Sequence, residues 1–156
     1  MINVVTDKNT ARISNFCEKS SVEDFFKSGC NVSPNITTID LSKNQLGRIL
    51  TAEQLAEILR NIRGESISKL NLSQNELVSL ACPNEQQGRY SPSIEGLIHV
   101  FQAIPTQVTD LNLSWNSFSI IFENFSAVDS AKLLGGLPEN ITRVHLEGLK
   151  LESLYT

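Results

Sequence analysis

The two histidines of the chain, His99 and His145, are the residues with which acid–base or nucleophilic catalysis would have to begin. His145 precedes Glu147 on the same face of an expected strand, but no nucleophile in an activating turn accompanies them. His99 falls on an expected helix on the opposite side of the protein, so the two histidines cannot share a site. We expect both to be solvated surface residues and predict no catalytic residue.

The spacing of the remaining residues predicts no metal site, no cofactor site and no disulfide framework. Cys17, Cys30 and Cys82 form no Cys-x-x-Cys pair and have no histidine at ligand spacing, which predicts neither a zinc site nor a disulfide framework. We expect them to be core or cap residues in a reducing compartment, with reactive thiols as the alternative. Gly135 and Gly136 follow an expected helix instead of preceding one, so they form no phosphate-binding loop. We predict no cofactor.

The bulk composition indicates one soluble domain. A chain of 156 residues with 40% hydrophobic and 19% charged residues is ordinary for a single globular unit. The net charge of -4 and the lack of a lysine or arginine run argue against a nucleic-acid partner. The first residues show no basic leader, and no stretch approaches the roughly 18 apolar residues of a membrane span. We expect a soluble, unprocessed protein without a membrane span.

A repeated pattern, L-x-x-L-x-L-x-x-N-x-L, says most about the fold. Three clear copies and a weaker fourth begin at Ile36, Ile67, Val108 and Ile141. The asparagines Asn44, Asn75 and Asn116 are 31 and 41 residues apart, and the fourth copy carries Leu149 at the equivalent position, 33 residues further on. Periods of this length are typical of stacked repeat proteins.

Each copy predicts a strand, and a helix is expected after each of the first three copies. Apolar and polar residues alternate in strands expected near 38–42, 69–73, 110–114 and 143–147. Start signals at Thr51 with Gln54, at Ser91 before Pro92 and at Ser126 with Asp129 predict helices near 51–63, 91–104 and 126–137. Because one strand–helix unit cannot bury its apolar face alone, parallel strands should stack on one side and helices on the other. The expected fold class is α/β, a curved two-layer slab.

On these motifs the chain resembles the leucine-rich repeat family, and its long, helix-containing repeats resemble the ribonuclease-inhibitor-like subtype. The strand Leu-x-Leu-Ser-x-Asn, the capped helix and the apolar-Pro exit are also similar to repeats in effector proteins of intracellular bacterial pathogens. The resemblance implies a solenoid, a right-handed β-α superhelix with its strands on the concave face and its helices on the convex face. It also implies that Asn44, Asn75 and Asn116 form a buried ladder that satisfies backbone groups, since an unsatisfied buried polar group costs about 1–3 kcal/mol.

The two ends of the chain depart from the pattern. Residues 1–35 are expected to form an N-terminal cap that consists of a degenerate repeat and a short helix near 21–27. In that repeat, Asn9 would stand 35 residues before Asn44. Residues 36–156 hold the repeats, and the whole is one domain. Leu149 ends the asparagine ladder, as expected either of a C-terminal cap or of a chain that was cut.

A polar surface remains as the candidate functional site. The partner-binding hypothesis covers outward strand positions and the rim that follows them, namely Lys43, Lys69, Gln74, Asp110, Asn112, Trp115, Arg143, His145 and Tyr90. Trp115 occupies the position of Lys43 and Gln74 in the other repeats, either as a binding anchor or as a lid over the neighbouring turn. The insertion at 81–90 shares this rim, and a tolerated loop is the alternative to a functional one.

The apolar segment 120–125 allows two predictions about its packing. We expect it to pack as a satellite cluster under its loop, and an exposed patch beside Trp115 is the alternative.

These features predict a non-catalytic protein–protein interaction module that binds a partner protein through the concave sheet and the adjacent rim. The effector resemblance implies secretion and delivery to the cytoplasm of a host cell. The alternative is the substrate-recognition arm of a larger enzyme, such as a ubiquitin ligase, whose catalytic domain is absent from this sequence. A monomer is expected, and an edge-to-edge dimer is the alternative.

Overall fold

The computed structural model describes residues 2–16, 34–81 and 93–148, which form a mixed α/β structure around one sheet. The strands are β1 (Asn3–Asp7), β2 (Thr10–Ser14), β3 (Thr38–Asp40), β4 (Lys69–Asn71), β5 (Asp110–Asn112) and β6 (Arg143–His145). They lie in the sheet in chain order. β1 and β2 are antiparallel, and every later pair is parallel.

Helices connect the strands from β3 to β6. They are α1 (Leu46–Ile49), α2 (Ala52–Arg60), a 3₁₀ helix (Leu77–Leu80), α3 (Glu95–Gln102), α4 (Phe118–Asn124) and α5 (Ala127–Gly135). Crossover connections of this kind bring successive parallel strands side by side in one sheet. From β3 to β6, strands and helices therefore alternate along the chain.

The sheet register follows the repeated pattern. Ile39 pairs with Leu70, Leu70 with Leu111, and Leu111 with Val144. The first three of these side chains are at most 2% exposed, because they point into the hydrophobic core between the sheet and the helices. β3, β4, β5 and β6 have three residues each, which is shorter than expected. Backbone pairing nevertheless continues past β3, where the N–H of Leu41 donates to the carbonyl of Asn71 at 2.9 Å.

The longer helices begin close to their start signals. Thr51 caps α2 in both directions: its hydroxyl accepts from the N–H of Gln54 at 3.1 Å, and its own N–H donates to the Gln54 side chain at 2.9 Å. Ser126 accepts from the N–H of Asp129 at 3.0 Å and caps α5. α3 begins at Glu95, three residues after the expected start at Pro92, which lies outside the described residues.

A short helix follows each of the three ladder asparagines, although the sequence pattern does not predict one. α1, the 3₁₀ helix and α4 begin at Leu46, Leu77 and Phe118, and these three side chains are at most 4% exposed. Stretches of four to seven residues are too short to show helical periodicity in sequence. They anchor each turn to the core through their first residue.

The N-terminal strand pairing differs from the expected degenerate repeat. Ala11 pairs with Ile39 in the parallel register, so β2 is the repeat strand and β1 folds back on it as a hairpin. Asn9 lies in the hairpin turn instead of at a ladder position, and its carbonyl accepts from the N–H groups of Thr37 and Thr38 at 2.8 and 3.1 Å. The register was misplaced because Asn9 matched the motif by residue type alone. The short helix expected near 21–27 lies outside the described residues.

None of the helices in the described ranges has the length and apolarity to cross a lipid bilayer.

Candidate functional site

The three repeated asparagines form a hydrogen-bonded row inside the protein. Asn75 is fully buried, and its side-chain oxygen accepts from the N–H groups of Asn44 at 2.9 Å and Leu46 at 3.4 Å. Its side-chain amide donates to the carbonyls of Leu41 and Leu72 at 2.9 and 3.1 Å. Each asparagine thus joins its own turn to a neighbouring one, so the row fixes the position of the turns relative to each other.

The turns that hold this row are unusual in their backbone. In each of three repeats the residues on both sides of the asparagine have positive φ, between 53° and 60°: Lys43 and Gln45, Gln74 and Glu76, Trp115 and Ser117. L-residues adopt this conformation rarely, at a cost of roughly 1 kcal/mol or more, and only when surrounding contacts enforce it. The asparagine hydrogen bonds supply such contacts. The flanking side chains are consequently held outward in two parallel rows.

An open groove of about 610 Å³ lies between these rows, and we call it the rim groove. It is lined by Lys43, Gln45, Gln74, Glu76 and Trp115. Glu76 pairs with Arg48 at 3.6 Å, whereas Lys43 has no ion pair among the described residues. The groove therefore combines a cation without an ion pair, a paired carboxylate, two amide side chains and an aromatic ring.

Trp115 combines parts of both roles considered for it. Its side chain is 59% exposed and lines the rim groove, as a binding anchor would. Its ring also lies close to Gly148, where an added Cβ would be 2.5 Å from the indole Cε3. The N–H of Trp115 donates to the carbonyl of Glu147 at 2.8 Å. The ring is thus exposed on one side and supported on the other.

The exposed face of the parallel sheet carries a charged cluster. Asp110 on β5 lies 2.9 Å from the Nε2 of His145 and 4.0 Å from the Nη1 of Arg143, both on β6. Lys69 lies beside Asp110 in register, is exposed, and has no ion pair within the described ranges. Three predicted site residues are therefore in contact here, with Lys69 on the adjacent strand. We call this set, Lys69, Asp110, Arg143 and His145, the sheet-face cluster.

A second ion pair stands at the other end of the sheet face. The Nε of Arg12 on β2 is 3.1 Å from the Oδ2 of Asp40 on β3. Burial acts to raise the pKa of Asp40, but hydrogen bonds from the side chain and N–H of Ser42 and from Arg12 act oppositely and prevail. The pKa of Asp40 therefore lies below its ordinary value, and the carboxylate is ionised at neutral pH. Arg12 was missed as a member of this surface because it belongs to the N-terminal hairpin.

Asn112 has a structural contact in addition to its predicted place on the binding surface. Its Oδ1 accepts from the N–H of Ser114 at 3.0 Å, as Asn71 accepts from Ser73 and Asp40 from Ser42. An Asp or Asn two residues before the accepted N–H is the sequence signal of such a turn, so this second row could have been found from the repeats. It fixes the end of each strand just before the rim.

The two histidines lie on different layers. His99 is on α3, where its Nε2 is hydrogen-bonded to Glu53 and lies 3.0 Å from the Nη2 of Arg60. His145 is on the sheet, and its partner is Asp110 instead of the neighbouring Glu147. The hydrogen bond from His99 and a second from Arg60 lower the pKa of Glu53. The hydrogen-bond partners of the two histidines within the described ranges are Glu53, Arg60 and Asp110, and none of them carries a hydroxyl or thiol group.

The segment 120–125 covers most of α4 and the residue that follows it, Phe125, and it packs largely against the core. Ile121 is fully buried, Phe122 and Phe125 are partly buried against the core, and Ile120 is 40% exposed. Since the apolar side chains of this helix turn inward, the segment contributes one exposed isoleucine instead of a broad patch. Tyr90 and the three cysteines lie outside the described residues.

Within residues 2–16, 34–81 and 93–148, no group of three histidine, cysteine or acidic side chains is placed to hold a metal ion.

Comparison with known proteins yields one informative structural likeness. No protein-family model and no curated protein matches the chain. The solved crystal structure of the leucine-rich repeat-containing protein LegL7 from Legionella pneumophila is similar, with a TM-score of 0.57 and 25% sequence identity. The match covers 90% of this chain and 47% of LegL7, so the chain spans about half the length of that protein. The likeness supports a leucine-rich-repeat-like fold for this chain.

Proposed function

We propose that this chain is a non-catalytic protein–protein interaction module that binds a partner protein through the sheet-face cluster and the rim groove. The observation that supports this most directly is the exposure of Trp115 in a groove with an unpaired lysine. Large aromatic side chains that are exposed and held in place are typical anchors of protein interfaces. The partner-binding residues in this proposal are Lys43, Lys69, Gln74, Asp110, Asn112, Trp115, Arg143 and His145, together with Tyr90.

The mixed charge of the surface indicates how a partner would be selected. Asp110 is already hydrogen-bonded to His145 and paired with Arg143, whereas Lys43 and Lys69 have no ion pair among the described residues. A partner with carboxylates opposite these two lysines would gain complementary charge without displacing an existing pair. Such charges chiefly raise the association rate and the specificity, and the aromatic anchor contributes more of the affinity.

The proposal includes the curved solenoid implied by the repeats. A right-handed superhelix of the ribonuclease-inhibitor-like subtype would place the sheet on its concave side and the helices on its convex side. A bacterial effector that acts in the cytoplasm of a host cell is the biological role that fits the repeat motifs. The likeness to a protein of Legionella pneumophila is compatible with that role.

Affinity capture followed by mass spectrometry tests the binding function. The wild type is compared with Trp115→Ala in the rim groove and with Lys69→Glu on the sheet face. Val128→Ser and Glu57→Lys serve as matched controls, because both side chains are exposed on the helices and lie away from the proposed surface. We expect the first two variants to lose a captured partner that both controls retain. Retention of every captured protein by Trp115→Ala and Lys69→Glu would reject the proposed surface.

A further inference from the structure

We propose that the rim groove binds a proline-rich segment of the partner in the polyproline II conformation, with an acidic residue three positions from a proline. The acidic residue would contact Lys43, and the proline would contact the ring of Trp115. This inference rests on the proposed protein-binding function and adds the chemistry and conformation of the bound segment.

The spacing along the groove supports this conformation. Lys43 and Gln74 continue the pairing of the strands, since their N–H groups donate to the carbonyls of Ser73 and Ser114 at 3.2 and 3.0 Å. Neighbouring turns are therefore about 4.8 Å apart, and Lys43 and Trp115 are separated by two such steps, roughly 10 Å. A polyproline II helix returns to the same face after three residues, with a rise of about 9.3 Å. In a β-strand, residues three apart would face opposite sides.

The two ends of the groove differ in chemistry. Lys43 is exposed and has no ion pair in the described ranges, and the charge of Glu76 is compensated by Arg48. An anionic side chain is therefore favoured at the Lys43 end. Trp115 presents an exposed ring supported by Gly148, and flat aromatic surfaces are typical contacts of proline in polyproline II recognition. The Lys43 end of the groove thus favours a carboxylate, and the Trp115 end favours a proline.

The middle of the groove favours a segment with unpaired backbone carbonyls. Gln74 lines the groove in the middle turn, beside the paired Glu76, and Gln45 lines it in the turn of Lys43. Each side-chain amide can donate two hydrogen bonds. A polyproline II segment makes no internal hydrogen bonds, so its carbonyls are free to accept them. A helix with anchors seven residues apart would span a similar length, about 10.5 Å, but its carbonyls are already paired. The amides therefore favour the extended segment over a helix.

Fluorescence anisotropy with labelled synthetic peptides tests the inference on the full chain. The probes contain Glu-Pro-Pro-Pro or the reverse order Pro-Pro-Pro-Glu, with capped ends, so that either chain direction is sampled. Three control peptides replace Glu by Gln, replace the distal proline by glycine, or replace the two middle prolines by glycine. We expect one probe to bind at least about threefold more tightly than each control, because each control removes one contact or the preformed conformation.

Variants of the protein test which of its residues contact the peptide. Trp115→Ala should weaken binding of the better probe by about tenfold or more, as expected of an interface anchor. Lys43→Met keeps the aliphatic stem and should remove the preference for Glu over Gln, which a merely structural effect would not do. Val128→Ser should leave binding unchanged. Equal binding of probes and controls, or a Glu preference that persists in Lys43→Met, would overturn the inference.

The outcome separates this inference from the broader proposal. If the captured partner depends on Trp115 but neither probe binds, the protein-binding function stands and the polyproline II segment is rejected. The same rejection follows if a helical peptide with Glu and an apolar residue seven positions apart binds more tightly than both probes. If capture is insensitive to Trp115 and Lys69 and neither probe binds, both proposals fail.

Discussion

The indole of Trp115 rests against the backbone of Gly148, so closely that a Cβ at Gly148 would come within 2.5 Å of its Cε3. Gly148 also has a positive φ of 81°, which favours glycine. One glycine thus accommodates both its own turn and the aromatic ring of the preceding repeat. The exposed face of Trp115 is therefore positioned by a neighbouring turn and does not depend on the tryptophan rotamer alone.

Gly148→Ala should displace the ring of Trp115. We expect the fluorescence emission of Trp115, the only tryptophan, to change, and stability to fall by about 1–2 kcal/mol because the clash with the ring adds to the backbone strain at a positive φ. Fluorescence spectra and chemical denaturation measure the two effects. The same substitution in a Trp115→Ala background gives the control, because only the backbone strain remains there. Equal losses of stability in both backgrounds would contradict a contact between the ring and Gly148.

Asn75→Ala should be strongly destabilising. The N–H groups of Asn44 and Leu46 would lose their acceptor inside the protein, whereas the carbonyl of Leu41 would keep a second donor in Asn44. Leaving these groups unsatisfied should cost about 2–4 kcal/mol in the free energy of unfolding. Asn124→Ala is the matched control, since its exposed amide contacts one carbonyl, and it should cost about 0.5 kcal/mol or less. Similar losses in the two variants would argue against the buried row as a source of stability.

Much of the sheet could be predicted from sequence, because the repeated pattern determines which residues of neighbouring strands pair. Ile39, Leu70 and Leu111 occupy the same motif position, and stacking of identical units places them in one register. The asparagines follow at a constant offset, so the turn that contains each of them is equally predictable. Where the motif is degenerate this argument fails, as it did for Asn9, because a single residue match does not fix a register.

The finer geometry of the candidate site depends on contacts that the pattern does not encode. The repeats place Asp110 beside Arg143, yet its shorter contact is the diagonal one to His145. Likewise, the position of the Trp115 ring depends on the conformation of Gly148. Both features arise from side-chain reach and backbone torsion between repeats, which a repeat template averages out.

Gly47→Ala should be strongly destabilising, because Gly47 is buried against the backbone of the next repeat. A Cβ there would overlap the carbonyl oxygen of Glu76 and lie 2.9 Å from the Cα of Leu77. These are backbone atoms, so two adjacent repeats would have to separate, at a cost of about 3 kcal/mol. Gly135→Ala is the matched control, because nothing lies within 4 Å of its added Cβ and alanine favours a helix by about 0.5–1 kcal/mol. Thermal unfolding of both variants should give shifts of opposite sign, and a mild effect of Gly47→Ala would contradict the close approach.

Asp40→Asn should remove the pH-dependent contribution that the Asp40 carboxylate makes to the free energy of unfolding. Asparagine is the residue at this position in two other repeats, so the acceptor for Ser42 can be kept while the charge opposite Arg12 is lost. Because the folded-state pKa of Asp40 is lowered, its contribution is present above the unfolded value of about 3.9 and is lost as pH falls through the folded value. Arg12 is largely exposed, which limits the difference at pH 7 to about 0.5–1 kcal/mol.

Denaturation of the wild type and Asp40→Asn at several pH values between 7 and 2 measures this contribution. We expect the wild type to be more stable at pH 7 and the two curves to converge in acid, once the carboxyl group is protonated in both states. In an Arg12→Met background the difference at pH 7 should shrink, and what remains should reflect the hydrogen bonds from Ser42, which favour the charged form. A difference that grows on acidification would mean that burial, and not hydrogen bonding, dominates the pKa of Asp40, since a raised pKa reverses the sign of the linkage.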